Sequence, residues 1–421
     1  MTLIKTSLLN GIAVVIKMLT LLGLNKILAI YVGPAGYAAL GQFQNAIQMI
    51  TILASGAVNT GVTKYTAEYY GDEAKQHAVW RTAGTISLIG SVIVAAGVMI
   101  FNKSLAGWFF KDESLGSVFI WFASTLVFFV FNTLLLAILN GKKDIHRYVT
   151  ANIAGSLFAL AVTSTMAIQL GLYGALVALA IYQSLTLFVT LTLTYKATWF
   201  RISYLVGGID KEAARNLAKY TIMALTSAAC VPLSHILIRD YLGETLGWEF
   251  AGYWEAMWRL SAAYLMLVTT TLSVYYLPKL SELKIQADIR KEILRGYKVV
   301  LPVAAGCGLV IYFLRDLIIQ FLFTADFSQM EVLFKWQMLG DFFRVGAFIL
   351  AYLMLSKAMF VVYSLYEVFF SFSFLFLTKI FVFQYGFEGV VIAYVVTYFF
   401  YWLFCFFYIA YRYRRGYFNA C

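Results

Sequence analysis

The chain has 421 residues, of which 62% are hydrophobic and only 13% are charged. Soluble domains average about 45–50% apolar and about 25% charged residues, so this composition excludes a soluble globular protein and predicts a polytopic membrane protein. The formal net charge of +11 would also be compatible with a nucleic-acid-binding protein. The distribution of the basic residues argues against that class.

Twelve apolar runs follow one another along the chain, each close to the length of about 20 residues that the hydrocarbon core of a bilayer requires. They lie at 8–30, 37–57, 79–101, 116–139, 149–169, 173–195, 218–238, 250–277, 298–322, 336–355, 360–383 and 387–410. Very short turns join the fifth run to the sixth and the eleventh to the twelfth. We therefore predict an all-α polytopic membrane protein with about 12 transmembrane helices.

The lysines and arginines fall mainly on one side of these spans. With the N-terminus inside, the inside segments carry most of the basic residues, such as Lys142 and Lys143. The outside segments carry few, namely Lys103, Lys111, Arg239, Arg315 and Lys335. Cytoplasmic loops show such an excess, which predicts that both termini are cytoplasmic. The basic excess is thus mostly a topology signal and leaves little to suggest nucleic acid as a partner.

The chain also repeats itself at a nearly constant offset. Gly171-Leu172-Tyr173-Gly174 matches Gly386-Phe387-Glu388-Gly389, and Lys142 aligns with Lys357 at the same spacing. Two halves of six spans each enter the membrane in the same sense, which predicts a parallel repeat of two lobes. The predicted boundaries are an N-terminal lobe at 1–195, a cytoplasmic linker at 196–217, a C-terminal lobe at 218–411 and a basic cytoplasmic tail at 412–421.

Charged side chains lie well inside several predicted spans: Lys17, Arg259, Asp341, Arg344 and Glu367. Each costs about 2.5–3.5 kcal/mol at a helix centre on insertion scales, so such residues usually face a watery cavity. The alternative is a structural ion pair, which the spacing permits for Asp341 with Arg344 and for Glu255 with Arg259. Lys17 has no acidic neighbour in its span and is the strongest candidate for a substrate contact.

Uncharged polar residues form a stripe along the second span. They recur at the helical spacing of three and four residues and therefore share one face, at Gln44, Gln48, Thr51, Ser55 and Asn59. Span 8 carries a similar stripe that includes Glu255 and Arg259. For the uncharged residues of these stripes, two interpretations have equal weight. They line a cavity, or they form hydrogen bonds to neighbouring helices.

Patterns typical of catalysis and metal binding are missing from the sequence. There is no Walker A motif, and the cysteines at 230, 307, 405 and 421 are isolated. We expect neither an enzyme nor a cofactor nor a bound metal.

Several segments together resemble the Wzx-type flippases of bacterial surface polysaccharides, a family that includes the O-antigen and enterobacterial common antigen lipid III flippases. These segments are Ser7–Gly36 with Lys17, Lys26 and Gly33-Pro34-Ala35-Gly36, then Gly61-Val62-Thr63-Lys64-Tyr65, Leu277-Pro278-Lys279-Leu280-Ser281, Gly340-Asp341 and Arg344-Val345-Gly346-Ala347. The resemblance extends over essentially the whole chain. Arg344 departs from it, because a lysine is expected there.

The resemblance places the chain in the superfamily of multidrug (MATE), oligosaccharidyl-lipid and polysaccharide exporters. It implies two six-helix lobes around a central cavity, in the bacterial inner membrane. It also implies movement of an undecaprenyl-pyrophosphate-linked oligosaccharide from the cytoplasmic to the periplasmic leaflet, driven by an ion gradient. Membrane lipid, a polysaccharide polymerase and a chain-length regulator are the partners that it suggests.

These observations lead to a set of expected site residues. The substrate-binding set is Lys17, Arg259, Arg344, Gln44, Gln48 and Asn59, because an anionic pyrophosphate needs cations and sugars need polar side chains. The ion-coupling set is Asp341, Glu367 and Glu255, because buried carboxylates have tunable proton affinity. Two alternatives remain: a MATE-type small-molecule efflux antiporter, which for cationic drugs needs an acidic cavity, and a membrane-embedded glycosyltransferase or polymerase, which needs a large outside loop.

Overall fold

The computed structural model describes residues 3–283, 285–357 and 359–415, and within these residues the regular structure is helical throughout. The α-helices, in chain order, are α1 (Leu3–Ser55), α2 (Asn59–Glu68), α3 (Glu73–Ile100), α4 (Asn102–Phe110), α5 (Gly116–Gly141), α6 (Ile145–Tyr195), α7 (Lys211–Thr245), α8 (Trp248–Thr271), α9 (Leu277–Glu282), α10 (Gln286–Phe313), α11 (Arg315–Leu322), α12 (Phe334–Ser356), α13 (Phe360–Tyr385) and α14 (Gly389–Arg414). A π-helical turn, Leu272–Tyr276, follows α8 directly.

Two of these helices are too long for a single membrane crossing. Helix α1 has 53 residues and α6 has 51, which would give straight rods of roughly 75–80 Å against a hydrocarbon core of about 30 Å. Each is broken by a glycine with positive φ, at Gly33 (φ 70°) and Gly171 (φ 57°). Glycine adopts this conformation without steric cost, so each long helix contains two crossings.

Seven described segments are long and apolar enough to cross a membrane, and three of them, at Gly11–Ser55, Ile145–Tyr195 and Val361–Arg414, contain 45, 51 and 54 residues. Each of these three is long enough for two crossings. Helices α7 and α8, with 35 and 24 residues, match the predicted spans 7 and 8. The prediction of an all-α polytopic protein is therefore confirmed, and the described helices correspond to the twelve predicted spans.

The repeated glycine motif has the same backbone geometry in both copies. Gly171 and Gly386 both have positive φ, at 57° and 61°. A Cβ on Gly174 would lie 2.0 Å from the carbonyl oxygen of Met166, and a Cβ on Gly389 would lie 2.2 Å from that of Phe381. The first glycine in each copy reverses the chain direction. The second has no Cβ, so the backbone of the preceding helical segment can lie against it. Sequence and structure thus agree on the internal repeat.

The chain divides into two compact units. Unit 1 contains the described residues up to Val32 and the segment Ala39–Pro232, whereas unit 2 contains the short segment Gly33–Ala38 and the described residues from Leu233 onward. The predicted lobe and linker boundaries at 195 and 218 stay a prediction.

The linker after α6 packs within unit 1. The Thr85 hydroxyl donates to the carbonyl oxygen of Gly207 at 2.8 Å and accepts from its N–H at 3.1 Å. The N–H of Asp210 donates to the Thr82 hydroxyl at 2.9 Å. A Cβ on Gly84 would lie 1.6 Å from the carbonyl oxygen of Leu205. A glycine at this position therefore lets the linker lie directly on α3.

Each unit has its own apolar core. In unit 1, the indole of buried Trp80 packs with Val62, Leu134 and Leu205, and its N–H donates to the Thr66 hydroxyl at 2.8 Å. The hydrogen bond removes the cost of burying the indole N–H. In unit 2, another core joins residues of α12 and α14 with the π-helical turn, including Leu350, Tyr401, Cys405 and Tyr276. These cores hold the helices that carry the polar sites.

Candidate functional site

The predicted polar stripe of span 2 lines one cavity within unit 1. Its members are Gln44, Gln48, Thr51, Ser55 and Asn59, and the cavity has a volume of about 400 Å³. The opposite wall comes from Thr133 on α5 and from Tyr182 and Gln183 on α6. The glutamines are exposed, whereas Thr51 and Ser55 are buried. The spacing of three and four residues has placed all five side chains at a single surface.

A smaller cavity of about 160 Å³ surrounds Lys17, and it also lies in unit 1. Its polar lining consists of Lys17, Thr20, Asn132, Asn152, Ser156, Tyr182, Gln183 and Thr186. Lys17 is the single charged residue in this lining, as far as the described part of the chain extends. Since Tyr182 and Gln183 line both cavities, the lysine and the polar stripe border neighbouring spaces that share a wall.

A chain of hydrogen bonds holds this shared wall. The Thr190 hydroxyl donates to Asn132 Oδ1 at 2.8 Å, and Asn132 Nδ2 donates to Gln183 Oε1 at 3.2 Å. Gln183 Nε2 then donates to the Tyr182 hydroxyl at 3.2 Å. The sequence predictions did not include Asn132, Tyr182 or Gln183. An amide in the middle of an apolar span was the available signal, because a polar group there needs a partner.

In unit 2, Glu255 lies between two arginines. Arg239 Nε and Nη2 are 3.0 and 2.9 Å from Glu255 Oε2, and Arg259 Nε is 2.8 Å from Oε1. The side chains of Arg239 and Glu255 are only 2% and 4% exposed. The (i, i+4) pairing of Glu255 with Arg259 is present. Arg239 was counted in an outside segment; α7 continues past it to Thr245, and its side chain is buried in the protein.

Arg259 also faces an aromatic ring from Gly33–Ala38, the short segment of α1 that belongs to unit 2. Its guanidinium lies 5.3 Å from the ring centroid of Tyr37, a cation–π distance. Tyr37 is fully buried and packs edge-on against Phe327. A Cβ on Gly252 would lie 1.7 Å from the carbonyl oxygen of Pro34. The glycine therefore allows this segment to lie directly on α8, where it supports Arg259.

Asp341 is buried and accepts several hydrogen bonds. The donors are the hydroxyls of Ser261 (2.6 Å), Tyr264 (2.5 Å) and Tyr394 (2.6 Å) and the amide of Gln337 (3.4 Å). These residues come from α8, α12 and α14. The buried carboxylate therefore joins α8, α12 and α14 in one hydrogen-bonded cluster.

Arg344 is connected to Asp341 through one of these donors. Its Nη1 donates to the Tyr394 hydroxyl at 3.3 Å, and the same hydroxyl donates to Asp341. The guanidinium lies over the rings of Trp258, Phe348 and Tyr398, at 4.8, 5.2 and 5.5 Å from their centroids. The (i, i+3) spacing thus leads to a pair bridged by a tyrosine, with three aromatic faces around the cation.

Glu367 lies on α13 and is partly buried. The Tyr401 hydroxyl donates to Glu367 Oε1 at 3.4 Å. The expected residues are thus divided between the units: Lys17, Gln44, Gln48 and Asn59 lie in unit 1, and Glu255, Arg259, Asp341, Arg344 and Glu367 lie in unit 2. Within the described residues, no group of three or more histidine, cysteine, aspartate or glutamate side chains could hold a metal ion.

Comparisons with known proteins add to this geometry. A family model described as "Polysaccharide biosynthesis protein" matches residues 27–332. The lipid III flippases of Escherichia coli (strain K12) and Shigella flexneri are each 31% identical over 369 residues, which cover 87% of this chain and 88% of each flippase.

Solved structures show the fold. An inward-facing multidrug resistance MATE family transporter of the MOP superfamily superimposes with a TM-score of 0.77 at 16% identity, covering 95% of both chains. The Vibrio cholerae MATE transporter VcmN gives 0.74 at 16% identity, covering 98% of this chain and 97% of that one. A MOP superfamily transporter from Pyrococcus furiosus, described by the reverse polarity of its binding pocket, gives 0.66 at 16% identity, covering 96% and 95%. The expected MATE-like fold is therefore confirmed.

Proposed function

This chain belongs to the family of polysaccharide biosynthesis proteins, and on that basis we propose that it is a flippase for a lipid-linked oligosaccharide. Its proposed substrate is an undecaprenyl-pyrophosphate-linked repeat unit, of the O-antigen or the enterobacterial common antigen, which it moves from the cytoplasmic to the periplasmic leaflet. The 31% identity to two lipid III flippases over 87% of the chain supports this substrate class. The proposed location is the bacterial inner membrane, with both termini cytoplasmic.

The observation that carries this proposal is the environment of Lys17. Among the described residues that line its cavity, it is the single charged one. A cation without a neighbouring carboxylate in the described lining attracts an anionic ligand. The pyrophosphate of a lipid carrier is such an anion, and it forms charge-assisted hydrogen bonds with an ammonium group.

Arg259 and Arg344 are the cations of unit 2 that we propose for the anionic substrate. Arg344 is held by aromatic faces and Tyr394, and within the described chain its Nε has no hydrogen-bond partner. Buried donors are nearly always paired, so a free Nε–H in this position supports an anionic ligand. Gln44, Gln48 and Asn59 are the proposed contacts for the rest of the head group.

Ion coupling is proposed for Asp341 and Glu367 in unit 2. Both are carboxylates on apolar helices, and tyrosine hydroxyls can stabilise either the charged or the neutral form of a neighbour. Glu255 was expected in the same set. Its position instead supports the structural ion pair, because Arg239 and Arg259 each bond to one of its carboxylate oxygens.

A MATE-type small-molecule efflux antiporter is the second candidate, and the structural likeness supports it as a fold only. For cationic substrates such a protein needs an acidic site. The lining of the two unit 1 cavities contains no acidic residue, which favours the flippase. Binding to a polymerase and a chain-length regulator follows from the flippase proposal.

The test uses a strain that lacks the chromosomal copy and carries variants of the chain. Lys17→Ala and Arg344→Ala should abolish surface polysaccharide and accumulate lipid-linked intermediates, because each removes a cation for the pyrophosphate. Lys26→Ala, on the same helix as Lys17, is the matched control and should retain polysaccharide. Immunoblots of membranes check that each variant is inserted. Normal polysaccharide with both substitutions would contradict the proposal.

A further inference from the structure

We propose that the uncharged cavity of unit 1 is a subsite for a neutral saccharide, and that Gln183, positioned by Asn132, forms the wall between this subsite and the Lys17 cavity. The inference rests on the proposed function, because the saccharide is the head group of the lipid-linked substrate. The inference adds that the sugar is neutral, and it assigns roles to Asn132 and Gln183, which the proposed function does not use.

The lining of the cavity supports a sugar as its ligand. All of its polar side chains are amides or hydroxyls, and none carries a charge. An amide offers both donors and an acceptor, and a hydroxyl does the same, so this lining matches the hydroxyls of a saccharide, which also donate and accept. A charged sugar would lose water without gaining a counter-ion here, which is costly. The volume of about 400 Å³ lies within the usual range of small-molecule sites, roughly 300–1,000 Å³.

Two buried atoms in this cavity indicate that a ligand completes it. Thr51 is only 7% exposed, and within the described residues its Oγ1 has no hydrogen-bond partner. Asn59 Nδ2 donates to the Thr133 hydroxyl at 3.2 Å, whereas its Oδ1 is likewise without a partner in the described chain. Because buried polar atoms are almost always paired, both oxygens are expected to accept hydrogen bonds from ligand hydroxyls.

The second part of the proposal concerns Asn132, which is fully buried. Asn132 Oδ1 accepts a hydrogen bond from the Thr190 hydroxyl, and Asn132 Nδ2 donates one to Gln183 Oε1. With the oxygen of Gln183 thus occupied, its amide nitrogen points one hydrogen at Tyr182 and retains a second hydrogen for a ligand. Asn132 is therefore a positioning residue, and Gln183 is the specificity-determining residue that it orients.

The shared wall places the two cavities side by side. Tyr182 and Gln183 line the Lys17 cavity as well as the uncharged cavity. In a pyrophosphate-linked glycan the first sugar is bonded directly to the phosphate. A pyrophosphate at Lys17 therefore places the adjoining sugar beside the wall, and the polar stripe receives it.

The test measures binding of two lipids to the purified full chain in detergent by isothermal titration calorimetry. One lipid is a polyprenyl pyrophosphate without sugar, and the other carries a neutral disaccharide. Gln44→Ala combined with Gln48→Ala should weaken binding of the glycosylated lipid about ten-fold, as expected for one or two lost hydrogen bonds. It should leave the sugar-free lipid unchanged. Both glutamines are exposed, so their truncation preserves folding. Ser124→Ala, at an exposed position of α5, is the control and should change neither affinity.

Asn132→Ala distinguishes positioning from a general structural role. It should weaken binding of the glycosylated lipid more than binding of the sugar-free lipid, whereas a general structural role would weaken both equally. Lys17→Gln should weaken both lipids alike.

Three results would overturn the inference. An unchanged preference in the Gln44→Ala, Gln48→Ala variant refutes the subsite alone. Equal affinity for a lipid whose first sugar, bonded to the pyrophosphate, is a hexuronate refutes its neutrality. Failure of the unsubstituted chain to bind either lipid contradicts the proposed function itself.

Discussion

At the residue scale, the charged side chains of the apolar helices fall into different environments. Glu255 is enclosed between Arg239 and Arg259, Arg344 is surrounded by rings, and Lys17 borders a cavity of otherwise uncharged residues. A buried ion pair stabilises only while both partners are present, since removal of one leaves an uncompensated charge. Arg239 and Glu255 are therefore expected to act on stability, whereas Lys17 is the proposed contact for the substrate.

The ion-pair cluster leads to a stability prediction. Arg239→Met should destabilise the protein by several kcal/mol, on the order of 3, because Glu255 loses one of its two partners in a buried site. Arg315→Met is the matched control, because it breaks the more exposed pair with Glu331 and should cost at most about 1 kcal/mol. Thermal unfolding of both variants in detergent measures the difference. Equal melting temperatures would show that the buried cluster contributes no more than the exposed pair.

Arg344 carries a second prediction at this scale. Its planar guanidinium contacts three ring faces and Tyr394, which a lysine ammonium does not reproduce. Arg344→Lys should therefore keep the charge but reduce the rate of polysaccharide export below that of the native chain. Lys335→Arg, which keeps a cation beside Trp336, is the control. Export measured from pulse-labelled surface glycan tests this, and an unchanged rate in Arg344→Lys would mean that charge alone matters.

At the element scale, glycines determine where helices turn back and how closely they pack. The motif Gly171 to Gly174 and its copy Gly386 to Gly389 each combine a positive φ with a close approach to a backbone carbonyl. A side chain at the second glycine would collide with backbone atoms, which cannot move aside by changing a rotamer as a side chain can. The motif therefore recurs in the sequence because both copies need the same close backbone packing.

Gly174→Ala and Gly389→Ala should each destabilise the fold by about 1–3 kcal/mol, the usual cost of overpacking. Gly97→Ala is the control, because a Cβ there meets nothing within 4 Å and alanine favours a helix interior by about 0.5–1 kcal/mol. The two kinds of substitution should shift the melting temperature in opposite directions. A loss of stability in Gly97→Ala as large as in the motif variants would contradict this explanation.

At the scale of the whole molecule, the asymmetry of the basic residues predicts the orientation in the membrane. In a chain whose cysteines are replaced by serine, Glu113→Cys should react with a membrane-impermeant maleimide in intact spheroplasts. Lys211→Cys should react only after permeabilisation, because it lies in a segment predicted to be cytoplasmic. Both positions are exposed. The reverse labelling pattern would place the termini outside.

The sequence by itself determined the membrane class, the number of spans, the internal repeat and the shared face of the polar stripe. Hydropathy and helical periodicity are local properties of consecutive residues, so they could be read without knowing which helices are neighbours. The resemblance drawn from Lys17, Gly33-Pro34 and Gly340-Asp341 agrees with the family found by comparison.

Only the tertiary structure decided the partners of each polar group. Asn59 bonds to Thr133, 74 residues away, and Asp341 bonds to Ser261, 80 residues away. The burial of Arg239 and the wall formed by Asn132 and Gln183 depend on contacts of the same kind. A polar side chain within an apolar helix signals that a partner is needed, but its identity depends on which helices pack together. That packing follows from the whole chain and cannot be read from any one segment.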